Sequence, residues 1–220
     1  MNYFAHALNH LDRPYYMAST AIPDWLSAAD RKVRLRPRQL EPWLNCNDDI
    51  QSAVAAGALQ HLQDDDWFHA TRGFVEVTSE LTRHFRERLG SDDKFHCGFL
   101  GHVGMELILD GVLLAHYRTR FEDYWRILDA VDPTRIEIAV NRMARVPTER
   151  LAWFIDLYRR EQFLRCYEND QSLLVRLNQV LMRVKLSPIP SDASEVIAAG
   201  RDLVQQRLRD LLPVEHFVLP

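Results

Sequence analysis

Residues 95–117, FHCGFLGHVGMELILDGVLLAHY, decide the fold. The run is too long and too continuously apolar for a half-buried strand, and it reads as a buried helix. Its glycines, Gly98, Gly101, Gly104 and Gly111, cost helix propensity but let another backbone approach closely. The polar exceptions are ordered. His102, Glu106 and Asp110 recur every fourth residue, so they form one stripe along a helix face.

A second stripe with the same spacing lies upstream at His61, Asp65 and His69. Facing each other, the two stripes would gather three imidazoles and three carboxylates into a small volume. Burying a carboxylate without a partner is costly, so such a cluster either binds a divalent metal or forms a tightly bonded polar core. The metal reading is preferred here. The structural alternative is an ion-pair network.

Working outward, the same reading gives helices and turns throughout. Residues 3–10 start a short helix, broken at Asp12–Pro14, and a second short helix spans Ser19–Ala29. Arg31–Arg38, with Pro37 and Pro42, reads as a surface connection. A long helix begins near Asp48 or Asp49, whose carboxylates suit a cap, and is expected to bend at Asp64–Asp66. The pattern resumes from Phe68 to Leu89, with Gly90 and Ser91 as a stop. Phe121–Ala130, Pro133–Arg145, Thr148–Asn169, Leu173–Leu186 and Ala193–Leu212 supply the remaining helices. No repeat or sustained strand alternation intervenes. The expectation is an all-α, irregular multi-helix bundle forming a single domain over residues 1–220.

Composition narrows the class. The chain is 47% hydrophobic over 220 residues, enough for one substantial core. A formal net charge of -4 gives no electrostatic argument for nucleic acid or an anionic membrane, so neither partner is expected. Cys46, Cys97 and Cys166 are widely spaced, odd in number and without a CxxC pair, which favours a reducing cytoplasm over a disulfide scaffold. The opening MNYFAHALNH is not a secretory leader, and no uninterrupted apolar stretch reaches membrane-spanning length. Oligomeric state is left open.

His6 and Asp24 are further ligand candidates, and Arg72, just after His69, is a candidate phosphate clamp. Mixed His/Asp/Glu ligation suits one or two ions of Mn, Fe or Zn. Such ions polarise a phosphoryl oxygen and lower the pKa of bound water, while a carboxylate orients the water or accepts its proton. Asp65 and Glu106 are the candidates for that catalytic role. A phosphate-cradling glycine loop and a serine nucleophile elbow are both missing.

The chain resembles the acyl carrier protein phosphodiesterase family, helical metal-dependent hydrolases related to the broader His/Asp phosphohydrolases. MNYFAHAL is similar to the family's MNFLAH opening and places His6 on its histidine, and TAIPDWL places Asp24 on its metal-associated aspartate. VAAGALQHLQDD resembles the VxxGIxxHRxID segment, matching His61 and Asp65, with Leu62 in place of the arginine and Asp64 in place of the apolar residue. His69 lies where the family's TDxHP segment has its aspartate, and the proline is lost. GHVGMELILD resembles the DxxxDHxL segment, with His102 and Glu106 on its acidic positions, Leu107 replacing the histidine and Asp110 as a candidate compensation. The resemblance covers roughly residues 1–170.

It implies metal-dependent phosphodiester hydrolysis, with release of phosphopantetheine from acyl carrier protein or cleavage of a small phosphoester. The metal ligands would come from His6, Asp24, His61, Asp65, His69, His102 and Glu106; helix spacing adds Asp110, and its place just after His69 makes Arg72 the substrate contact. Arg31, Lys32, Arg34, Arg36 and Arg38 offer a docking patch for an acidic carrier. The alternatives are another helical metal-dependent hydrolase, similar to zinc-dependent phospholipase C, and a non-catalytic metal- or protein-binding domain.

Overall fold

The structure is a computed structural model that describes residues 1–90 and 94–220, the side chains of residues 94–96 excepted. Ser91, half of the expected stop, lies outside the described residues. The α-helices are α1 (Tyr3–Ala7), α2 (Pro14–Ser19), α3 (Ile22–Ala29), α4 (Pro37–Leu40), α5 (Asp49–Ala70), α6 (Arg72–Leu89) and α7 (Lys94–His116). They continue with α8 (Arg118–Asp129), α9 (Pro133–Met143), α10 (Leu151–Glu161), α11 (Asp170–Arg183), α12 (Ser194–Gln206) and α13 (Leu208–Leu211). Short 3-10 turns fill some of the gaps, and no strand occurs among the described residues. The all-α class holds.

Local chemistry explains several boundaries. Asp48 caps α5, its Oδ1 accepting the N–H groups of Gln51 and Ile50 at 3.1 and 3.2 Å. α5 then runs unbroken through Asp64–Asp66, where a bend was expected. The break comes instead at Thr71, whose Oγ1 accepts the Phe74 N–H at 3.1 Å and so starts α6 as its N-cap. Gly90 ends α6 with a φ of 95°. The expected helix over 148–169 is also divided. Gln162, with a φ of 42°, closes α10 in the left-handed conformation, and Asn169 caps α11 by accepting the Ser172 N–H at 3.0 Å.

The chain forms two compact units. One comprises Met1–Asn2, Trp67–Tyr117 and Phe163–Pro220, and the other Tyr3–Asp66 and Arg118–Gln162. In the first unit α7 packs against α6, α11 and α12, and its Leu100, Met105, Ile108, Leu109 and Leu113 are buried. Residues Cys97–His116 of α7 are long and apolar enough to cross a membrane, yet 72% of the most apolar window is buried, the pattern of a core helix. In the second unit an aromatic core joins α1, α3, α8 and α10. The Phe4 ring meets Phe121 at 5.4 Å, Trp25 meets Tyr158 at 5.4 Å, and the Tyr124 and Tyr158 hydroxyls share a hydrogen bond of 2.7 Å.

Of the four α7 glycines, Gly101 and Gly111 permit close backbone approaches; a Cβ at Gly104 would meet only the Phe85 ring at 3.4 Å, and Gly98 has open space. A Cβ at Gly101 would stand 2.8 Å from the Thr78 carbonyl oxygen on α6, and one at Gly111 would stand 2.5 Å from that of Tyr167. A Cβ at Gly98 meets nothing within 4 Å. Gly101→Ala should therefore cost about 1–3 kcal/mol of stability by overpacking against backbone. Gly98→Ala should stabilise by about 0.5–1 kcal/mol through helix propensity. Chemical denaturation of both variants reads the contrast, and equal effects would contradict this packing.

Candidate metal centres

Six of the eight predicted ligands assemble, not into the single cluster expected but into two groups, one in each unit. Each consists of two histidines and one carboxylate whose ligand atoms lie within 4.8 Å of one another: His6, His61 and Asp65, and His69, His102 and Glu106.

The first group is built by α1 and α5. Gly57, one turn before His61, allows α5 to pass close to α2, with a Cβ there standing 2.8 Å from that of Ser19. This close passage fits the 2.7 Å separation between His61 Nδ1 and the Thr20 carbonyl oxygen. A carbonyl only accepts, so His61 donates from Nδ1, and in the neutral ring Nε2 carries the lone pair. That Nε2 faces Asp65 Oδ2 at 3.4 Å. The His6 ring stacks on His61, with centroids 4.0 Å apart and planes inclined by 24°, and its Nε2 lies 3.3 Å from Asp65 Oδ1. His6 Nε2 is buried and makes no hydrogen bond, although Asp65 Oδ1 stands 3.3 Å away. Two nitrogens thus converge on one carboxylate, an arrangement that a cation between them would satisfy.

Electrostatics agree. Burial opposes the charged form of His6, but the Asp64 and Asp65 carboxylates outweigh it and push its pKa up to about 9. Burial likewise opposes ionisation of Asp65, and the facing His6 and His61 hold it well below the usual carboxylate range. Metal-free His6 is therefore an imidazolium at neutral pH, and metal ligation at Nε2 must displace its proton. Binding therefore tightens as pH rises and levels off above about 9. Between pH 6 and pH 8 the Kd at this group should fall by about a hundredfold, tenfold per unit for one displaced proton. Calorimetric titrations in buffers of different ionisation enthalpy test this, and a pH-independent Kd without proton release would contradict it.

The second group is built by the last turn of α5 and the middle of α7. His69 Nε2 and His102 Nε2 approach Glu106 Oε1 at 3.1 and 3.5 Å, and the Met1 amine approaches the same oxygen at 3.2 Å. Phe74 lies edge-on to both imidazoles, with centroid distances of 4.7 and 5.1 Å. Burial would raise the Glu106 pKa, but the facing amine, His102 and His69 hold it below the usual range. This group is the more open, with the His69 and His102 side chains 36% and 43% exposed against 0% for His6.

The remaining candidates lie elsewhere. Asp110 is fully buried one turn beyond Glu106 and is not in the group, and Asp24 is half-buried in the first turn of α3, in neither group. Arg72 is exposed, bonded to Glu76 at 2.5 Å, and lines a cavity of about 980 Å³ with Trp67, Arg207, Arg209 and His216. Sequence reasoning missed Thr20, Gln60, Asp64 and Tyr16 around His6 and His61. Gln60 and Asp64 carried a signal, since they repeat the four-residue spacing one position ahead of His61 and Asp65. Comparisons with protein families, curated proteins and solved structures return no match.

Proposed function

We propose that the protein is a metal-dependent phosphoester hydrolase with divalent cations at the His6–His61–Asp65 and His69–His102–Glu106 groups. The observation that carries this reading is His61, whose Nδ1 is committed to the Thr20 carbonyl while Nε2 faces a carboxylate. In the neutral ring that places a lone pair against a negative oxygen, which a bound cation turns into ligation. When bound, a divalent ion of the Mn, Fe or Zn type supplies Lewis acidity to a phosphoryl oxygen and acidifies water.

The residues then have distinct tasks. His6, His61, His69 and His102 supply neutral nitrogens. Asp65 and Glu106, held ionised by their histidine neighbours, offset cation charge and are placed to accept a proton from attacking water. Arg72 is the candidate contact to a substrate phosphate. The resemblance to acyl carrier protein phosphodiesterases makes phosphopantetheine on a carrier protein the first substrate to test. Arg31, Lys32, Arg34, Arg36 and Arg38 are all exposed and suit docking of an acidic carrier.

Metal-free protein reloaded with Mn, Fe or Zn should release phosphopantetheine from holo-carrier protein, or cleave a small aryl phosphodiester, only in the loaded form. Loaded protein that turns over neither the carrier nor any member of a phosphoester panel would overturn the hydrolase reading.

A further inference from the structure

The His6 ring is addressed from both sides. While Nε2 faces Asp65, Nδ1 lies 3.2 Å from Asp64 Oδ2. The Asp64 side chain is only 9% exposed, and its other oxygen accepts a hydrogen bond from Gln60 Nε2 at 2.8 Å. Gln60 is oriented in turn, its Oε1 accepting from the Tyr16 hydroxyl at 2.8 Å. The direction of each link is fixed by chemistry. A carboxylate only accepts, so the Gln60 amide nitrogen turns toward Asp64, leaving the amide oxygen to accept from the Tyr16 phenol, and His6 donates to Asp64 from Nδ1. The chain Tyr16–Gln60–Asp64–His6 therefore ends on a ring protonated at Nδ1.

We propose that Asp64 is a positioning residue that fixes His6 as an Nε2 donor to a metal held by His6, His61 and Asp65, with Gln60 and Tyr16 holding Asp64 in place. The proposal rests on the metal reading above. Three observations support it independently of that reading: Asp64 is buried, both of its oxygens are engaged, and His6 Nε2 is left without a hydrogen-bond partner on the side facing Asp65 and His61. A carboxylate behind a ligating imidazole sets its tautomer and raises its basicity, and losing such a partner typically costs about 10–100-fold in metal affinity.

The test uses Cd2+ as probe on the chain carrying His102→Ala, which disables the second group. Cadmium titration should show one site, and nitrogen NMR of the 113Cd-loaded protein should show His6 coupled to cadmium through Nε2, with a downfield Nδ1–H proton. Asp64→Ala should raise the Kd by about tenfold or more and shift that proton upfield, while the metal-free melting point reports separately on the fold. Asp64→Asn, which keeps an acceptor without the charge, should fall between. If Asp64→Ala does not fold, Asp64→Asn and Gln60→Ala decide by the same readouts. An unchanged Kd and unchanged Nδ1–H resonance, or cadmium coupled to Nδ1, would overturn the positioning role and leave the metal site standing. A His102→Ala parent that binds no cadmium would overturn the metal reading at this group and the inference with it.

Discussion

Asp65→Ala is expected to remove one metal from each chain and, on the proposed hydrolase reading, to lower phosphoester turnover by more than the roughly 10–100-fold that losing an outer partner costs. Asp65 is the only carboxylate of its group, and its two oxygens face two different histidines at 3.3 and 3.4 Å. Without it the stacked imidazoles retain no anionic ligand beside them to offset a divalent charge. In the metal-free state the same substitution removes the facing partner of His6 and leaves a buried imidazolium bonded to Asp64 alone. His6 should then titrate below its value of about 9, which NMR of the imidazole reads directly. An Asp65→Ala protein with full metal content and activity would refute the assignment.

Glu106→Gln is expected to empty the second group and, separately, to change the acid limb of stability. The substitution keeps the side-chain volume and removes the charge on which His69 and His102 converge. Because the Glu106 pKa is depressed in the fold, its ionised form contributes stability that is present above the ordinary value of 4.5 and is lost as pH falls through the folded-state value. Metal-free Glu106→Gln should be less stable near neutrality by roughly 1–3 kcal/mol, the usual cost of leaving buried polar groups poorly satisfied. The difference from the parent should shrink toward strongly acidic pH. Urea titrations at neutral and acid pH measure this, and a constant difference would show that Glu106 gains nothing from its charge. At the second group metal content should fall with metal-dependent activity, and a Glu106→Gln protein unchanged in both would exclude its ligand role.

Much of this arrangement was legible in the chain because helix geometry is local. The four-residue spacing of His102 and Glu106 places both on one α7 face, and the structure adds His69 from the last turn of α5. The acidic triplet at 64–66 misled for a physical reason. Three adjacent aspartates read as a turn, whereas Asp64 bonds His6, Asp65 faces both His6 and His61, and Asp66 points to solvent, so the triplet is accommodated without breaking the helix. The separation into a His6 group and a His69 group was not legible. It depends on α1 returning to α5 and on α7 meeting the end of α5, both of them long-range contacts that spacing cannot encode. The Thr20 carbonyl that sets the His61 tautomer is a backbone atom and leaves no mark in residue types. Asp110 carried the right spacing on α7 and yet stands outside the ligand group, which shows how little one further helix turn guarantees.

Metal stoichiometry decides whether these groups hold ions. Protein purified free of metal, reloaded with Mn, Fe or Zn, desalted and assayed by elemental analysis should carry about two equivalents per chain, and Asp65→Ala and Glu106→Gln should each carry about one. Less than about 0.2 equivalents per chain under every loading condition, in protein whose helical content is intact, would contradict the account and leave the two groups as polar core networks.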